Sequence, residues 1–497
     1  MIFNFKQDLK KIKLIQQKNA KEFGLLEKIV DNHIGKHKIK LKQTCLIRLF
    51  RFEIIRFYSD YISKKNEQYL KNNFPKLKYD SLFPNITFNQ KKAKVNFNFE
   101  KVRLLNLKKK NGISKFKELL IEFISFLLSG DKIVGIRANS ISVYNIFFKL
   151  IFRKYKVVFL NDQKIDRKNL ISQKKNLFSL FKKIDGALKI PKYLNSSKNL
   201  LNFINLYTSH NSIINDKIDI LITGTLNNIT NRIIAFNFKN NSNNIKIINI
   251  AHGNNWIWNE EFNEISEYEY SDYFLSYGFP RKISQKINKK LLYKPKIIGS
   301  SCDEISKINQ DKLFPKLSDT KKFKFLYVSR EYQIIGQLPH MFSDKVYNKW
   351  QKFLLNKLND IDLTIKIHPK SKTTYDYTFF SNSNKIESTS YINDDIIKKY
   401  DVFIFDTITS AFTKIAASNK NIIFFNLKER KCLDNATKLI KKRTNFFEIN
   451  QLSSLNLSKL NLKNSKNLNK QFIKKYSLYK NIKRSVSLIK LVESIKI

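Results

Sequence analysis

The sequence predicts an α/β protein with two domains, each built on a parallel sheet, behind a helical N-terminal extension. Two observations carry this prediction. Short apolar strands alternate with helical segments in two successive series, which is typical of βαβ units and parallel sheets. A stretch without such strands, near residues 306–322, separates the two series. A length of 497 residues and a hydrophobic share of 42% are enough for two cores.

The first series begins near Phe116 and contains six apolar runs of strand length. The predicted strands are Lys132–Ile136, Lys156–Leu160, Ile218–Ile222, Ile245–Ile250, Tyr273–Tyr277 and Lys296–Ile298. Helical spacing of apolar residues predicts helices over Phe116–Leu128 and Ser140–Phe152.

The second series predicts a second sheet. Strands are expected at Phe323–Ser329 and Leu363–Ile367, with a long helix over Lys345–Leu358. A strand–helix–strand unit over Val402–Phe425 completes the series. Two such series predict two Rossmann-like domains that face each other across a cleft. The expected regions are 1–110 (helical and basic), 111–305 (first domain), 320–450 (second domain) and 451–497 (helical tail).

The N-terminal region contains a segment with two interpretations. Between Thr44 and Ile62, apolar residues recur close to helical spacing, with arginines among them. This pattern suits an amphipathic patch that docks on a membrane, or a helix buried against the next domain. We favour burial.

The formal net charge of +52 suggests anionic partners. Dedicated nucleic-acid binding is one explanation. The other is the composition of an AT-rich genome, since Lys, Asn, Ile, Phe and Tyr are all in excess. Arg, whose guanidinium binds phosphates and bases through two parallel hydrogen bonds, makes up a small part of the Lys and Arg residues. We therefore favour the second explanation and expect no nucleic acid partner. Such a surface would still attract anionic lipid headgroups.

Several functional classes lack support in the sequence. The three cysteines lie far apart, which favours a reducing compartment without disulfides. We expect no metal site and no cofactor, because there is no zinc spacing, glycine-rich dinucleotide motif or Walker motif. The N-terminus shows no secretion signal and no apolar stretch is long enough to cross a bilayer. We therefore expect a cytoplasmic protein, with peripheral attachment to the inner face of the membrane left open.

Ligands of parallel sheets bind beyond the carboxyl ends of the strands, so the residues that follow each strand are the candidates. The most informative group follows Val402–Phe405 and consists of Asp406, Thr407, Thr409 and Ser410. These groups stand at a predicted helix N-terminus, where backbone N–H groups and the helix dipole favour a phosphate. An ordinary N-cap is the alternative, but it explains one hydroxyl better than three.

Other strand ends supply further candidates. Ser329 and Arg330 offer a hydroxyl and a guanidinium to a diphosphate, although Arg330 also suits a solvated surface. His368 is a potential phosphate ligand with a rigid Pro369 behind it. Gly224 and Thr225 end the strand at Ile218–Ile222.

His252 is the candidate general base, because it follows a strand and its side chain titrates near neutral pH. A structural turn histidine is the alternative. Gly253 would let the backbone approach a ligand, and Asn254 and Trp256 would bind and stack on a sugar. Glu260 would bind a hydroxyl, although a solvated acidic loop explains most glutamates in this stretch.

These motifs together resemble transferases of bacterial surface-polysaccharide synthesis (O-antigen and capsule). The wider similarity is to GT-B transferases, including capsule glycosyltransferases and teichoic-acid glycerophosphotransferases. The motifs that carry the resemblance are His252-Gly253, Ser271–Gly278, Lys296–Gly299, Ser329-Arg330, Ile367–Pro369 and Asp401–Asn426 followed by Ala436. The resemblance covers about residues 215–450 and not the first 110 residues or the tail.

The resemblance implies an acceptor domain at 111–305 and a donor domain at 320–450. By it, His252 would serve the acceptor, and His368 with Thr409 and Ser410 would bind the phosphates of a nucleotide-activated sugar. The acceptor would be a glycan or a lipid-linked glycan. Asp406–Ser410 are called the hydroxyl turn below. The chain departs from the family in the helix after this turn, where Lys414 and Ala416-Ala417 replace the usual acidic residue. The alternatives are polyol-phosphate transfer from a CDP-linked donor and, in another class, nucleic-acid binding.

Overall fold

The structure is a computed structural model. It describes residues 5–36, 41–67, 112–128, 130–137, 146–209, 217–241, 244–251, 257–258, 261–300, 323–330, 344–358, 361–368, 385–387, 392–449, 470–477 and 484–495. Within this part of the chain, two six-stranded sheets organise the molecule. Every strand pair in them is parallel, which confirms the predicted fold class of two Rossmann-like sheets.

The first sheet has the strand order β2-β1-β5-β6-β7-β8. Its strands are β1 (Ile133–Arg137), β2 (Lys156–Phe159), β5 (Ile220–Thr223), β6 (Lys246–Ile250), β7 (Tyr273–Tyr277) and β8 (Lys296–Ser300). From β1 the chain first adds β2 on one side and later adds β5 on the other. The strand order therefore reverses between β1 and β5, and the carboxyl ends of these two strands flank a topological switch point.

The second sheet has the order β11-β10-β9-β12-β13-β14. Its strands are β9 (Phe325–Val328), β10 (Leu363–Lys366), β11 (Lys385–Ile386), β12 (Val402–Phe405), β13 (Asn421–Asn426) and β14 (Asn445–Glu448). Here the order reverses between β9 and β12. All four residues of β9, β10 and β12 are buried, as expected for central strands of a sheet covered on both faces.

Four short strands were not predicted. The edge strands β11 and β14 are two of them, and β3 (Ile165–Asp166) and β4 (Thr208–Ser209) form a separate two-stranded sheet. Three of the four have only two residues, too few for an alternation or an apolar run to be visible in the sequence.

Helices cover the sheets and form the N-terminal part of the chain. The first eight are α1 (Phe5–Lys36), α2 (Leu41–Leu49), α3 (Arg51–Glu67), α4 (Gly112–Leu128), α5 (Phe147–Phe152), α6 (Arg167–Ala187), α7 (Ser196–Asn205) and α8 (Ile229–Asn241). The others are α9 (Glu261–Tyr268), α10 (Gln285–Asn288), α11 (Asp344–Lys357), α12 (Asp394–Lys399), α13 (Ser410–Ala416), α14 (Asp434–Arg443), α15 (Lys470–Tyr476) and α16 (Arg484–Ser494). Among the described residues, no helix combines the length and the apolarity that a bilayer crossing requires.

The N-terminal helices share a core with the first domain. The segment from Thr44 to Ile62 divides into α2 and α3, and its apolar residues are buried, which confirms the favoured interpretation. Buried ion pairs attach these helices to the sheet layer. Arg48 pairs with Glu269 at 2.6 Å, and Arg232 pairs with Glu53 at 2.8 Å while donating to the carbonyl of Leu49.

The C-terminal helices connect the two halves of the molecule. Helix α15 packs against α13 and α14 of the second domain, and its Phe472 lies in the core there. Helix α16 instead contributes Leu488 and Val492 to the core beneath the first sheet. The tail therefore crosses from the second domain back to the first.

Candidate functional site

The switch point of the second sheet collects six of the predicted donor-side residues. Ser329 and Arg330 follow β9, and Asp406 to Ser410 follow β12, its neighbour in the sheet. His368 lies two residues beyond the end of β10, on the other side of β9. The tertiary structure therefore brings these residues to one edge of one sheet.

Asp406 is the centre of a buried polar cluster. Its Oδ2 atom accepts hydrogen bonds from the Tyr327 hydroxyl at 2.5 Å, the Trp350 indole N–H at 2.9 Å and the Tyr347 hydroxyl at 3.0 Å. Gln351 donates to the Tyr327 hydroxyl at 3.2 Å. The carboxylate is 3% exposed, so its oxygens face the aromatic donors of α11 rather than the surface.

Burial raises the pKa of Asp406 to about 6, because a carboxylate loses hydration in the interior. The hydrogen bonds from Tyr327 and Trp350 oppose this increase, and the nearby carboxylate of Glu429 adds to it. The same interior raises the pKa of Tyr327 and Tyr347 well above their ordinary value, first through burial and then through the charge of Asp406. The two tyrosines are therefore neutral hydrogen-bond donors at neutral pH.

Arg330 is held from three directions. Its guanidinium lies 3.3 Å from the carboxylate of Glu429 and 4.0 Å from the centre of the Tyr347 ring. Its backbone N–H donates to the Tyr347 hydroxyl at 3.0 Å. Ser329 is also internal, since its hydroxyl and its N–H both donate to the carbonyl of Lys366 on β10. The predicted diphosphate ligands after β9 are therefore 3% exposed each.

The hydroxyls after Asp406 approach the surface step by step. Thr407 is buried, Thr409 is half-buried and Ser410 is exposed. Thr409 is the N-cap of α13, because its hydroxyl accepts from the Phe412 N–H at 3.3 Å. The alternative explanation, an ordinary N-cap, therefore applies to Thr409. The neighbouring Ser410 side chain is exposed. His368, which follows β10, is half-buried.

Two basic residues hold α13 in place. Lys414 donates to the carbonyl of Ile392 at 3.0 Å. The guanidinium of Arg443 donates to the carbonyls of Ala416, Ser418 and Lys420 at 2.8–3.0 Å. Burial lowers the pKa of Arg443 to about 10, which still leaves it charged at neutral pH. Lys414 and Arg443 thus hold α13, the helix that begins at the hydroxyl turn, against the residues around it.

The switch point of the first sheet contains Gly224 and Thr225, directly after β5. The Gly224 N–H donates to the carbonyl of Arg137, the last residue of β1. The Thr225 hydroxyl donates to the buried carboxylate of Glu267, which also accepts from Asn249 at 2.8 Å. Burial raises the pKa of Glu267, and these hydrogen bonds oppose that increase.

Five predicted site residues lie outside the described residues: His252, Gly253, Asn254, Trp256 and Glu260. The residues on either side of them are described. Ala251 is buried after β6, and its N–H donates to the carbonyl of Leu275 on β7.

The chain after this loop is attached to the second domain. Trp258 forms an antiparallel bridge with Cys432, and the Leu433 N–H donates to the carbonyl of Ile257 at 2.9 Å. The guanidinium of Arg430 stacks on the Trp258 ring, 4.2 Å from its centre. The described residues on the two sides of His252 are therefore anchored, Ala251 to the first sheet and Trp258 to the second domain.

Sequence patterns did not point to the residues that surround Asp406. Tyr347 and Trp350 are spaced by three on the predicted helix α11, which indicates only a common face. Their hydrogen-bonding atoms meet Asp406 because α11 packs over the sheet. Glu429 was not among the predicted site residues either. It lies three residues beyond the end of β13, so the rule that ligands bind beyond strand ends could have pointed to it.

No family model and no curated protein sequence matches this chain. Among solved structures, the wall teichoic acid polymerase TagF is similar with a TM-score of 0.40 and 12% identity, over 80% of this chain and 98% of that one. MurG from Acinetobacter baumannii gives a TM-score of 0.34 and 10% identity, over 73% and 100%. The glycosyltransferase SnogD from Streptomyces nogalater gives 0.37 and 8%, over 73% and 99%.

These structures are GT-B transferases, the group that the sequence motifs resemble. Likenesses of this size carry no inference about activity. The fold class rests on the two parallel sheets of the chain itself.

Proposed function

We propose that this chain is a metal-independent transferase of surface-polysaccharide synthesis. It would move a sugar from a nucleotide-activated donor to a glycan or a lipid-linked acceptor, at the cytoplasmic face of the membrane. The observation that carries the proposal is the position of the predicted residues. Gly224 and Thr225 lie at the switch point of the first sheet, and Arg330 and Asp406–Ser410 lie at that of the second.

At the donor end, Ser410 is exposed and His368 is half-buried, and we assign both to the donor diphosphate. Thr409 caps α13 and so holds the turn that presents Ser410 and its neighbouring backbone N–H groups, while Thr407 is buried. Asp406, Ser329 and Arg330 support this surface from within, since each is buried and hydrogen-bonded or ion-paired internally. Preorganised donors of this kind stabilise a leaving diphosphate without a cation.

At the acceptor end, we assign proton removal from the acceptor hydroxyl to His252. Gly253, Asn254, Trp256 and Glu260 would line the acceptor with Gly224 and Thr225. The support for this assignment is the anchoring of both flanks of the loop, at Ala251 and at Trp258.

The test is donor-dependent nucleotide release by the purified chain. UDP-, GDP- and CDP-sugars and CDP-glycerol are each incubated with a membrane extract of lipid-linked acceptors, with and without EDTA. We expect release from one nucleotide sugar that depends on the acceptor and persists in EDTA. Release from CDP-glycerol alone would replace the proposal with polyol-phosphate transfer.

Nucleic-acid binding is tested separately by titrating duplex DNA at rising salt. We expect any binding to be lost by about 0.15 M salt, because non-specific contacts are mostly counterion release. Tight binding at that salt, together with no nucleotide release from any donor, would contradict the proposed function.

A further inference from the structure

Helix α4 has its apolar face on the outside. Leu119, Phe123, Phe126 and Leu127 occupy positions i, i+4, i+7 and i+8, which form one stripe along a helix. All four are exposed, with Phe126 at 68%. In a helix that covers a sheet, this stripe would normally face the core.

The inward face of α4 is instead partly polar. The Ser125 hydroxyl accepts from the Val157 N–H at 3.0 Å, and the Glu122 carboxylate accepts from the Phe159 N–H at 2.5 Å. These two contacts satisfy N–H groups of β2, the edge strand of the first sheet. The orientation of the helix is thus fixed by specific hydrogen bonds that leave its apolar stripe facing solvent.

Helix α5 extends the same surface. It packs against both α4 and β2, burying Phe147, Leu150 and Ile151. Its Phe148 and Phe152 point outward, and Phe152 is 81% exposed. Eight of the fourteen large apolar side chains that are exposed among the described residues belong to these two helices. They are Leu119, Leu120, Phe123, Phe126, Leu127, Leu128, Phe148 and Phe152.

The apolar surface has a basic border. Lys132 precedes β1, Lys149 lies on α5, and Lys154 follows it, all with exposed side chains. The Lys156 ammonium lies 5.3 Å from the centre of the exposed Phe126 ring. Asp131 is an exposed acidic neighbour, and Arg153 at the same border pairs with Glu493.

We propose that α4 and α5 form a docking surface for an anionic lipid bilayer. An apolar stripe bordered by lysines is the composition of a helix that lies in the plane of the headgroups. The basic border is complementary to anionic lipid. It would repel a second copy of this chain, whose net charge is also strongly positive at +52.

Docking in this way would place the edge strand β2 along the lipid, with both its amino end and its carboxyl end near the surface. Helix α4 runs antiparallel to β2, because Ser125 is opposite Val157 and Glu122 is opposite Phe159. Leu119 therefore lies one turn beyond the carboxyl end of β2. The apolar stripe thus reaches the same edge of the first sheet as Thr225.

The test is flotation of the full chain with vesicles of phosphatidylcholine, alone or mixed with phosphatidylglycerol. We expect binding to the mixed vesicles at about 0.15 M salt. The double variant Phe123→Gln/Leu127→Gln should lower the partition coefficient at least about tenfold. Both side chains are exposed, so the variant should fold as the wild type does. The pair Lys132→Gln/Lys149→Gln should lower binding to the mixed vesicles about tenfold and leave binding to phosphatidylcholine unchanged.

The matched control is Ile171→Gln/Leu206→Gln, which removes exposed apolar side chains from α6 and from the residue after α7. It should bind vesicles as the wild type does. Equal loss in the control and in the α4 variant would overturn the proposal. The proposal would also be overturned if the wild type did not bind vesicles but formed dimers, and if Phe123→Gln/Leu127→Gln dissociated those dimers. The surface would then fit a second copy of the chain. The assay needs neither donor nor acceptor, so its outcome is independent of the proposed activity.

Discussion

At the scale of single residues, Asp406 shows how a charge is kept in the interior. Three donors from Tyr327, Tyr347 and Trp350 converge on one carboxylate oxygen, while burial disfavours the ionised form. The hydroxyl turn continues from this anchored residue. The position of Ser410 therefore depends on a carboxylate that is itself buried.

Replacing Asp406 with Asn should change how stability depends on pH. The folded pKa is about 6, above the ordinary value of 3.8. Between about pH 4 and pH 6 the folded state therefore still binds a proton that the unfolded chain has already released, and wild-type stability falls across this window. The stability advantage of the wild type over Asp406→Asn should shrink by about 3 kcal/mol from pH 4 to pH 7, measured by urea unfolding. A difference that is constant with pH would contradict the raised pKa.

His252 and His368 should respond differently to substitution, because we assign one to proton transfer and the other to donor binding. His252→Ala should lower kcat at least about a hundredfold with little change in donor KM. His368→Ala should mainly raise donor KM. Steady-state nucleotide release measures both, and Ser172→Ala on the exposed face of α6 is the control. Full turnover by His252→Ala would remove the base assignment.

At the scale of elements, the unit from β12 to β13 depends on a contact distant in sequence. Helix α13 has only seven residues, too few to be stable alone, so its carbonyl end needs partners. Arg443, at the end of α14, supplies them by donating to Ala416, Ser418 and Lys420. The buried guanidinium of Arg443 thereby attaches α13, which begins at the hydroxyl turn, to α14, the helix that follows β13.

Arg443→Met should lower the free energy of unfolding by about 3 kcal/mol or more, since several buried carbonyls would lose their donor. The control is Lys442→Met on the same helix, whose side chain is exposed and whose change should stay within about 0.5 kcal/mol. Chemical denaturation measures both. Equal effects of the two substitutions would show that Arg443 has no special role in holding α13.

At the scale of the whole molecule, the C-terminal segment joins the domains. Helix α15 packs in the second domain, and the Phe279 N–H of the first domain donates to the carbonyl of Lys475 at 3.2 Å. Gly278 permits this approach. An added Cβ there would lie 2.2 Å from that carbonyl oxygen, and the backbone φ of +71° also favours glycine.

Leu488→Ala should weaken the first domain selectively, because Leu488 of α16 is fully buried in the core beneath the first sheet. A loss of about 3 kcal/mol is expected for a buried leucine. Hydrogen exchange should accelerate in β1 and β6 and stay unchanged in β9 and β12. Lys490→Ala, an exposed neighbour, is the control. Equal acceleration in both sheets would mean that the domains open as one unit.

Several elements were predictable because their signals are local. Strand β7 and strand β12 begin and end at the predicted residues, since uninterrupted apolar runs mark buried parallel strands. Helix α5 begins at Phe147 with Ile146 as its N-cap, and residues 140–145 of the helix predicted from Ser140 lie outside the described residues. The strand-end rule selected Thr225, Arg330 and Ser410, because the carboxyl end of a strand is visible in the sequence.

The sequence by itself determined the alternating pattern of strands and helices, the strand ends, and hence which residues stand at the carboxyl edges of the sheets. Tertiary structure decided how those residues are used. It buried Asp406 and Arg330 under the aromatic residues of α11, and it left Ser410 at the surface. It also turned the apolar face of α4 outward. Periodicity records that one face of a helix is apolar, whereas hydrogen bonds to β2, formed only after the sheet is assembled, decide which way that face points.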